Sequence, residues 1–195
     1  ACLDGNWNLD GDNLFGEGIP MDSVNVVDDP DLYAEVFIGR LPDSTGTEVD
    51  ALINKIIEYE NPAVTDYQDE LLMLGEVLFP VDWEPGQGLS LDGGQFSEDI
   101  KVAATACVNS TELYENHTQY PGASELSLAE TISHLNSGYG FVNHVGHGFR
   151  YNMSVGDKSL VNYDAFTLTN TDQRFVLYLL NCTATAFDFP CLAER

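Results

Sequence analysis

The spacing of apolar positions changes period several times along the chain. Residues 47–60 (TEVDALINKIIEYE) place Val49, Leu52, Ile53, Ile56 and Ile57 at i, i+3, i+4, i+7 and i+8. That spacing predicts an amphipathic helix, ended by Asn61-Pro62. Residues 128–135 predict a second helix, capped by Ser127 and stopped by Asn136-Ser137-Gly138. A third is expected from a Ser97 cap to about Cys107. Between the helices lie short runs apolar on both faces: residues 32–39 (LYAEVFIG), 70–75 (ELLMLG), 139–145 (YGFVNHV) and 174–180 (RFVLYLL). A Gly-rich acidic loop is expected between Glu76 and Phe96. Doubly apolar strands alternating with helices predict a mostly parallel sheet flanked by helices on both faces, an α/β fold in three layers.

Composition narrows the class. The 195 residues are 44% apolar and 11% aromatic, which fits one packed domain and excludes wholesale disorder. Against 32 acids stand only 7 Lys and Arg, a net charge of −25. Such a surface repels phosphate backbones and anionic lipid, so neither nucleic acid nor membrane is an expected partner. It attracts cations: basic peptides and metal ions. The longest uninterrupted apolar run, residues 175–180, falls far short of the roughly 20 residues that span a bilayer. The chain opens on Ala1 without Met and ends on Arg195, so it is expected to be a processed or excised piece of a longer protein. Four cysteines (Cys2, Cys107, Cys182, Cys191) are too few to read as a disulfide framework, although a Cys2–Cys107 bridge is compatible with the sequence.

Residues 1–31 are rich in Asp, Asn and Gly and read as a loop. Asp4, Asn6, Asn8, Asp10, Asp12 and Glu17 place oxygen ligands at near-alternating positions. Calcium takes six to eight such oxygens on a pliable backbone, so a structural calcium site is an expectation here. It is not an EF-hand, because Leu9 stands where the loop glycine belongs. The blander alternative is a solvated acidic loop.

In an open α/β sheet, reactive side chains collect beyond the carboxyl ends of the strands. Glu76, His147 and Cys182 all stand there. A thiol to attack, an imidazole to carry the proton and an acid to orient the imidazole make up the machinery of nucleophilic catalysis. The N–H groups of Gly148 and Cys182 complete it as an oxyanion hole. Each residue also has a plainer role, as small core thiol, packed histidine or surface acid. His144-x-x-His147 is half of a zinc pattern, but no ligand pair completes it, and His144 reads as packed within its strand. Cys191, after Phe189-Pro190, reads as core at a helix start.

The segments VNHVGHG and NCTATAFDFPCLAE, in which Cys182 follows His147 by 182 − 147 = 35 positions, resemble the catalytic segments of the gingipain family, peptidase family C25 of the caspase-like clan. DDPDLYAEVFIGRLPDSTGTEVDALINKIIEYENP and LDGNWNLDGDNLFGE resemble its upstream segments. The resemblance implies a caspase-like catalytic domain over residues 32–195, incomplete at its C-terminus, behind the acidic segment 1–31. It implies His147 as base, Cys182 as nucleophile, Gly148 at the oxyanion hole, Glu76 as the acid near the histidine, and Cys191 as a second, non-catalytic cysteine. It further implies cleavage after Arg or Lys, read by Asp99 or its neighbour Glu98, a secreted or cell-surface setting, and a second chain from the same precursor. Two rivals stand beside this secreted cysteine endopeptidase: a sortase-like transpeptidase, in which an amine replaces the hydrolytic water, and a catalytically silent calcium-dependent binding module.

Overall fold

The computed structural model describes residues 5–6, 8–9, 11–13, 15, 29–30, 39–41, 45–104, 108–186, 189 and 191–192. The chain divides into two units, Ala1–Arg40 and Leu41–Arg195. In the first, β1 (Gly5–Asn6) pairs antiparallel with β2 (Asp29–Pro30). The strand expected at 32–39 lies, but for Gly39, outside the described residues.

The second unit begins with α1 (Gly46–Glu60), started by a capping box. The Glu48 N–H donates to Thr45 Oγ1, and the Thr45 N–H donates back to Glu48 Oε2. The apolar spacing foretold the helix but not its burial. None of its residues is buried, and Ile53, Ile56 and Ile57 are 40%, 47% and 51% exposed. What ties α1 down is polar: Tyr59 Oη donates to the Gly140 carbonyl and Arg174 pairs with Glu58.

Then follow β3 (Glu70–Gly75), β4 (Val77–Phe79), β5 (Leu91–Asp92), α2 (Gly93–Ala104), β6 (Asn109–Tyr114), β7 (Ser124–Glu125), α3 (Leu128–Leu135) and β8 (Phe141–Val145). After them come β9 (Gly148–Phe149), β10 (Asn152–Val155), β11 (Lys158–Val161), α4 (Asn162–Ala165) and β12 (Val176–Leu180). Five strands form one fully parallel sheet in the order β12-β8-β3-β6-β7. Central β3 sends Leu72 and Leu74 to one face and Leu71 and Met73 to the other, as strand alternation requires. The first face is sealed by Leu135 of α3 and by Met153, Val155 and Leu160 of the β10–β11 hairpin. Leu71 and Met73 pack with Tyr114 on the other, where the Tyr114 hydroxyl donates to Glu98 of α2. Among the described residues β12 is an edge strand, and Val176, Tyr178 and Leu180 are 42%, 53% and 49% exposed.

Two expectations are corrected. The 77–96 region is not all loop, because β4 and β5 pair there as an antiparallel ribbon. Nor does Ser97 cap a helix; it sits buried inside α2. The cap is Asp92, whose Oδ1 accepts the Gly94 N–H. The Gly93-Gly94 start follows from crowding. A Cβ on Gly93 would lie 2.5 Å from the Val145 carbonyl oxygen, and one on Gly75 would lie 2.7 Å from Gly94 N. Only glycines let this helix start press against the ends of β3 and β8. Residues 105–107, where the helix was expected to end, lie outside the described residues.

Candidate active site

Backbone hydrogen bonds lock three neighbouring strand ends together. The Glu76 N–H donates to the Val145 carbonyl at 2.9 Å, and the Gly146 N–H donates to the Leu180 carbonyl at 3.2 Å. Glu76 follows β3, His147 follows β8 and Cys182 follows β12, so all three leave the same edge of the sheet on adjacent strands.

The imidazole of His147 is held by the β4–β5 ribbon. Its Nε2 lies 2.9 Å from the Leu78 carbonyl oxygen, and the Phe79 ring meets it edge-on with centroids 6.1 Å apart. A carbonyl only accepts, so Nε2 carries the proton and Nδ1 is left as the basic nitrogen. Glu76, only 3% exposed, does not bond this ring. Its Oε2 accepts the His147 backbone N–H at 2.8 Å and its Oε1 accepts the Gly156 N–H at 3.0 Å. The acid therefore fixes the main chain that carries the histidine, and a backbone carbonyl orients the ring.

Cys182 is an exposed free thiol, whereas Cys191 is fully buried, as expected of a core cysteine. Directly after the nucleophile candidate, Thr183 has φ +46°. A β-branched residue in the left-handed region costs about 1–3 kcal/mol and marks a tight turn held by its surroundings. Ala186 N–H closes that turn onto the Thr183 carbonyl. Gly148 pairs with Met153 across the β9–β10 ladder. Because the Ser154 N–H donates to His147, the His147–Ser154 pair is the hydrogen-bonded one and Gly148 falls in the next, non-bonded position. Its N–H therefore points away from β10, as an oxyanion donor needs.

His144 is fully buried. Its Nε2 donates to the Ser154 carbonyl at 2.7 Å, and its Nδ1 faces the Asn181 amide nitrogen at 3.4 Å. Burial holds its pKa below the ordinary histidine value.

Beside the β4–β5 ribbon opens a cavity of about 800 Å³ lined by Trp83, Leu91, Phe96, Asp92 and Asp99 among others. Of the two acids expected to read a basic side chain, Asp99 lines it, receiving a hydrogen bond from Gln95. Glu98 does not: it accepts from Tyr114 and pairs with Lys101 on the sheet side of α2. Sequence reasoning missed Asp92, which accepts from Gly94, Asn116 and Tyr120 at the cavity wall. The signal was an Asp directly before Gly-Gly. Glu115 also approaches the site, accepting the Val77 N–H at 2.8 Å. Burial, against that bond and aided by the Glu76 and Asp92 charges, raises its pKa.

Of the calcium candidates, Asp4, Asp10 and Glu17 lie outside the described residues, as do Cys2 and Cys107, and of Asn6 only the backbone pairing is described. The Asn8 Nδ2 donates to the Asp12 carbonyl at 3.0 Å. Among the described residues no three His, Cys, Asp or Glu side chains are grouped to hold a metal, and no helix is long and apolar enough to cross a membrane.

A parallel sheet clad by helices on both faces, with an imidazole and a thiol leaving adjacent strands at one edge, defines a protein of caspase-like fold. The chain belongs to peptidase family C25, whose model matches residues 1–195. Lys-gingipain of Porphyromonas gingivalis is 31% identical over 172 residues, 85% of this chain but 9% of that protein. An uncharacterized protein of Archaeoglobus fulgidus is 22% identical over 90% of this chain and 43% of its own. The chain thus spans under half the length of these curated relatives. The crystal structure of the Arg-specific cysteine proteinase gingipain R superposes with a TM-score of 0.63 at 24% identity, covering 84% of this chain and 36% of that one. The complex of P. gingivalis RgpB pro- and mature domains gives 0.60 at 22%, with 83% and 36% covered.

Proposed function

We infer that this chain carries the catalytic core of a cysteine endopeptidase. One observation supports it above the others: the Leu78 carbonyl engages Nε2 of His147, so Nδ1 is the ring nitrogen left for proton exchange, on the strand end next to an exposed thiol. In this reading His147 Nδ1 takes the Cys182 proton, and the sulfur attacks the scissile carbonyl. The Gly148 and Cys182 N–H groups hold the oxyanion. The proton passes to the leaving amine, a thioester remains on Cys182, and water attacks it with the same imidazole as base. The substrate class is a peptide with Arg or Lys before the cut bond. Asp99 and Asp92, which both line the cavity, offer carboxylates to a guanidinium or ammonium. A secreted or cell-surface setting and calcium held by the acidic loop belong to the same proposal, supported by loop composition and the −25 charge.

The test uses the full-length protein and fluorogenic peptides varied at the residue before the cut. Cys182→Ala should lower kcat by at least ~10³-fold, the loss typical of a removed nucleophile, while Cys191→Ala keeps most of it. Basic residues should be preferred, less so in Asp99→Asn. Cleavage surviving Cys182→Ala overturns the reading, and an apolar preference overturns its substrate class.

A further inference from the structure

Neither the base, the thiol nor the oxyanion donors explain why β8 buries a histidine three residues before His147. Residue 144 lies on the apolar face that also carries Val142, opposite Leu179 of β12 and Leu74 of β3. A polar ring there is tolerated only with partners. It has two: the Ser154 carbonyl accepts from Nε2–H, and the Asn181 amide nitrogen, which can only donate, faces Nδ1, which therefore accepts. The bonded ring is therefore neutral. Two charged or titratable groups stand close, Glu76 favouring the charged ring and His147 opposing it, and burial decides for the neutral form.

The glycines on either side of His147 are shaped by the same groups. A Cβ on Gly146 would lie 2.7 Å from His144 Nε2 and 2.6 Å from Glu76 Oε2. A Cβ on Gly148 would lie 2.6 Å from the Asn181 amide nitrogen. Asn181 thus fills the space between Gly148 and His144, and it is the residue directly before Cys182. The two N–H groups assigned to the oxyanion belong to the two backbone segments that Asn181 touches.

We propose that His144 and Asn181 are positioning residues: His144, anchored on Ser154, captures the Asn181 amide, and Asn181 against Gly148 sets the separation of the Gly148 and Cys182 N–H donors. Neither side chain touches the reacting atoms. This rests on Cys182 being the nucleophile, as read above. An apolar residue of similar size at 181 keeps the packing but releases the donors. Displacing an oxyanion donor should cost about 10- to 100-fold in turnover, somewhat less than deleting one.

The full-length protein separates the possibilities, because alkylation of Cys182 by iodoacetamide forms no oxyanion while peptide cleavage does. Asn181→Leu should lower kcat by ~10- to 100-fold with KM and the alkylation rate each within about two-fold. His144→Gln, which can still donate to Ser154, should show the same split more weakly. The double variant should be no worse than Asn181→Leu alone, since coupled groups do not add. Turnover within two-fold of wild type in Asn181→Leu overturns the proposal. So does loss of alkylation in step with turnover, which marks a merely structural role. If instead the wild-type protein cleaves peptides equally well as Cys182→Ala, the peptidase reading itself fails and the positioning role falls with it.

Discussion

Glu76→Gln isolates what the buried carboxylate does, because volume is kept and only one acceptor is lost. In the wild type, Oε2 takes the His147 N–H at 2.8 Å and Oε1 takes the Gly156 N–H at 3.0 Å. A glutamine offers one oxygen, so its NH₂ must face one of two backbone donors. A hydrogen bond to a charged group is worth about 1.5–3 kcal/mol, and leaving a buried N–H without an acceptor adds about 1–3 kcal/mol. With some overlap between these, Glu76→Gln should destabilise the fold by about 2–5 kcal/mol, a large part of the ~5–15 kcal/mol of a typical domain. Urea unfolding followed by circular dichroism measures that, and kcat on a good peptide substrate reports the His147 segment. Both should fall. A loss below ~0.5 kcal/mol, the range of neutral surface changes, would refute the clamp. Turnover lost with stability intact would place the carboxylate in the chemistry and not in the backbone.

The other predictions concern pH and cations. Burial keeps His144 below 6.5, so between its folded value and 6.5 the unfolded chain binds a proton that the folded chain refuses. The stability from neutral His144 is then present above 6.5 and lost as pH falls, by at most ~1.4 kcal/mol per pH unit. Glu115, raised by burial, has the opposite sign: its contribution is present at low pH and lost as pH rises through its folded value. Urea melts from pH 5 to 7 should give a shallower slope for His144→Gln, and equal slopes would contradict this. Calcium should raise Tm more than magnesium at equal ionic strength if the loop at residues 4–17 binds it specifically; equal shifts would leave only charge screening.

The skeleton of the fold was legible where hydrophobic pattern and local capping agreed. The strand at 70–75 and the helix at 128–135 with its Ser127 cap stand where the pattern put them. The strand Asn109–Tyr114 was missed because NSTELY is polar; exposed Asn109 bonds Glu70, buried Glu112 is paired with Lys101, and only Leu113 and Tyr114 bring apolar side chains to the core. The start of α2 was misplaced because a Gly-Gly pair is a poor helix start by propensity, and what demands it is the close approach of β3 and β8. At the candidate site, strand-end logic named Glu76, His147 and Cys182, which leave one sheet edge on adjacent strands. It did not reach the Leu78 carbonyl, which as main chain has no side-chain signature, nor Asn181, whose contact with His144 exists only once β12 lies beside β8.

Among the described residues the β12 edge is open, which bears on how copies of this chain meet. Val176, Tyr178 and Leu180 present a ragged apolar comb beside backbone groups that could extend a sheet, the geometry by which strands recruit strangers. Against this stands a charge of −25, which makes every approach of two copies uphill at low ionic strength. Near 0.15 M salt that repulsion reaches only ~8 Å, hardly beyond the length of the side chains themselves. Pairing of copies through this edge is therefore expected to rise with salt, which light scattering against ionic strength would measure.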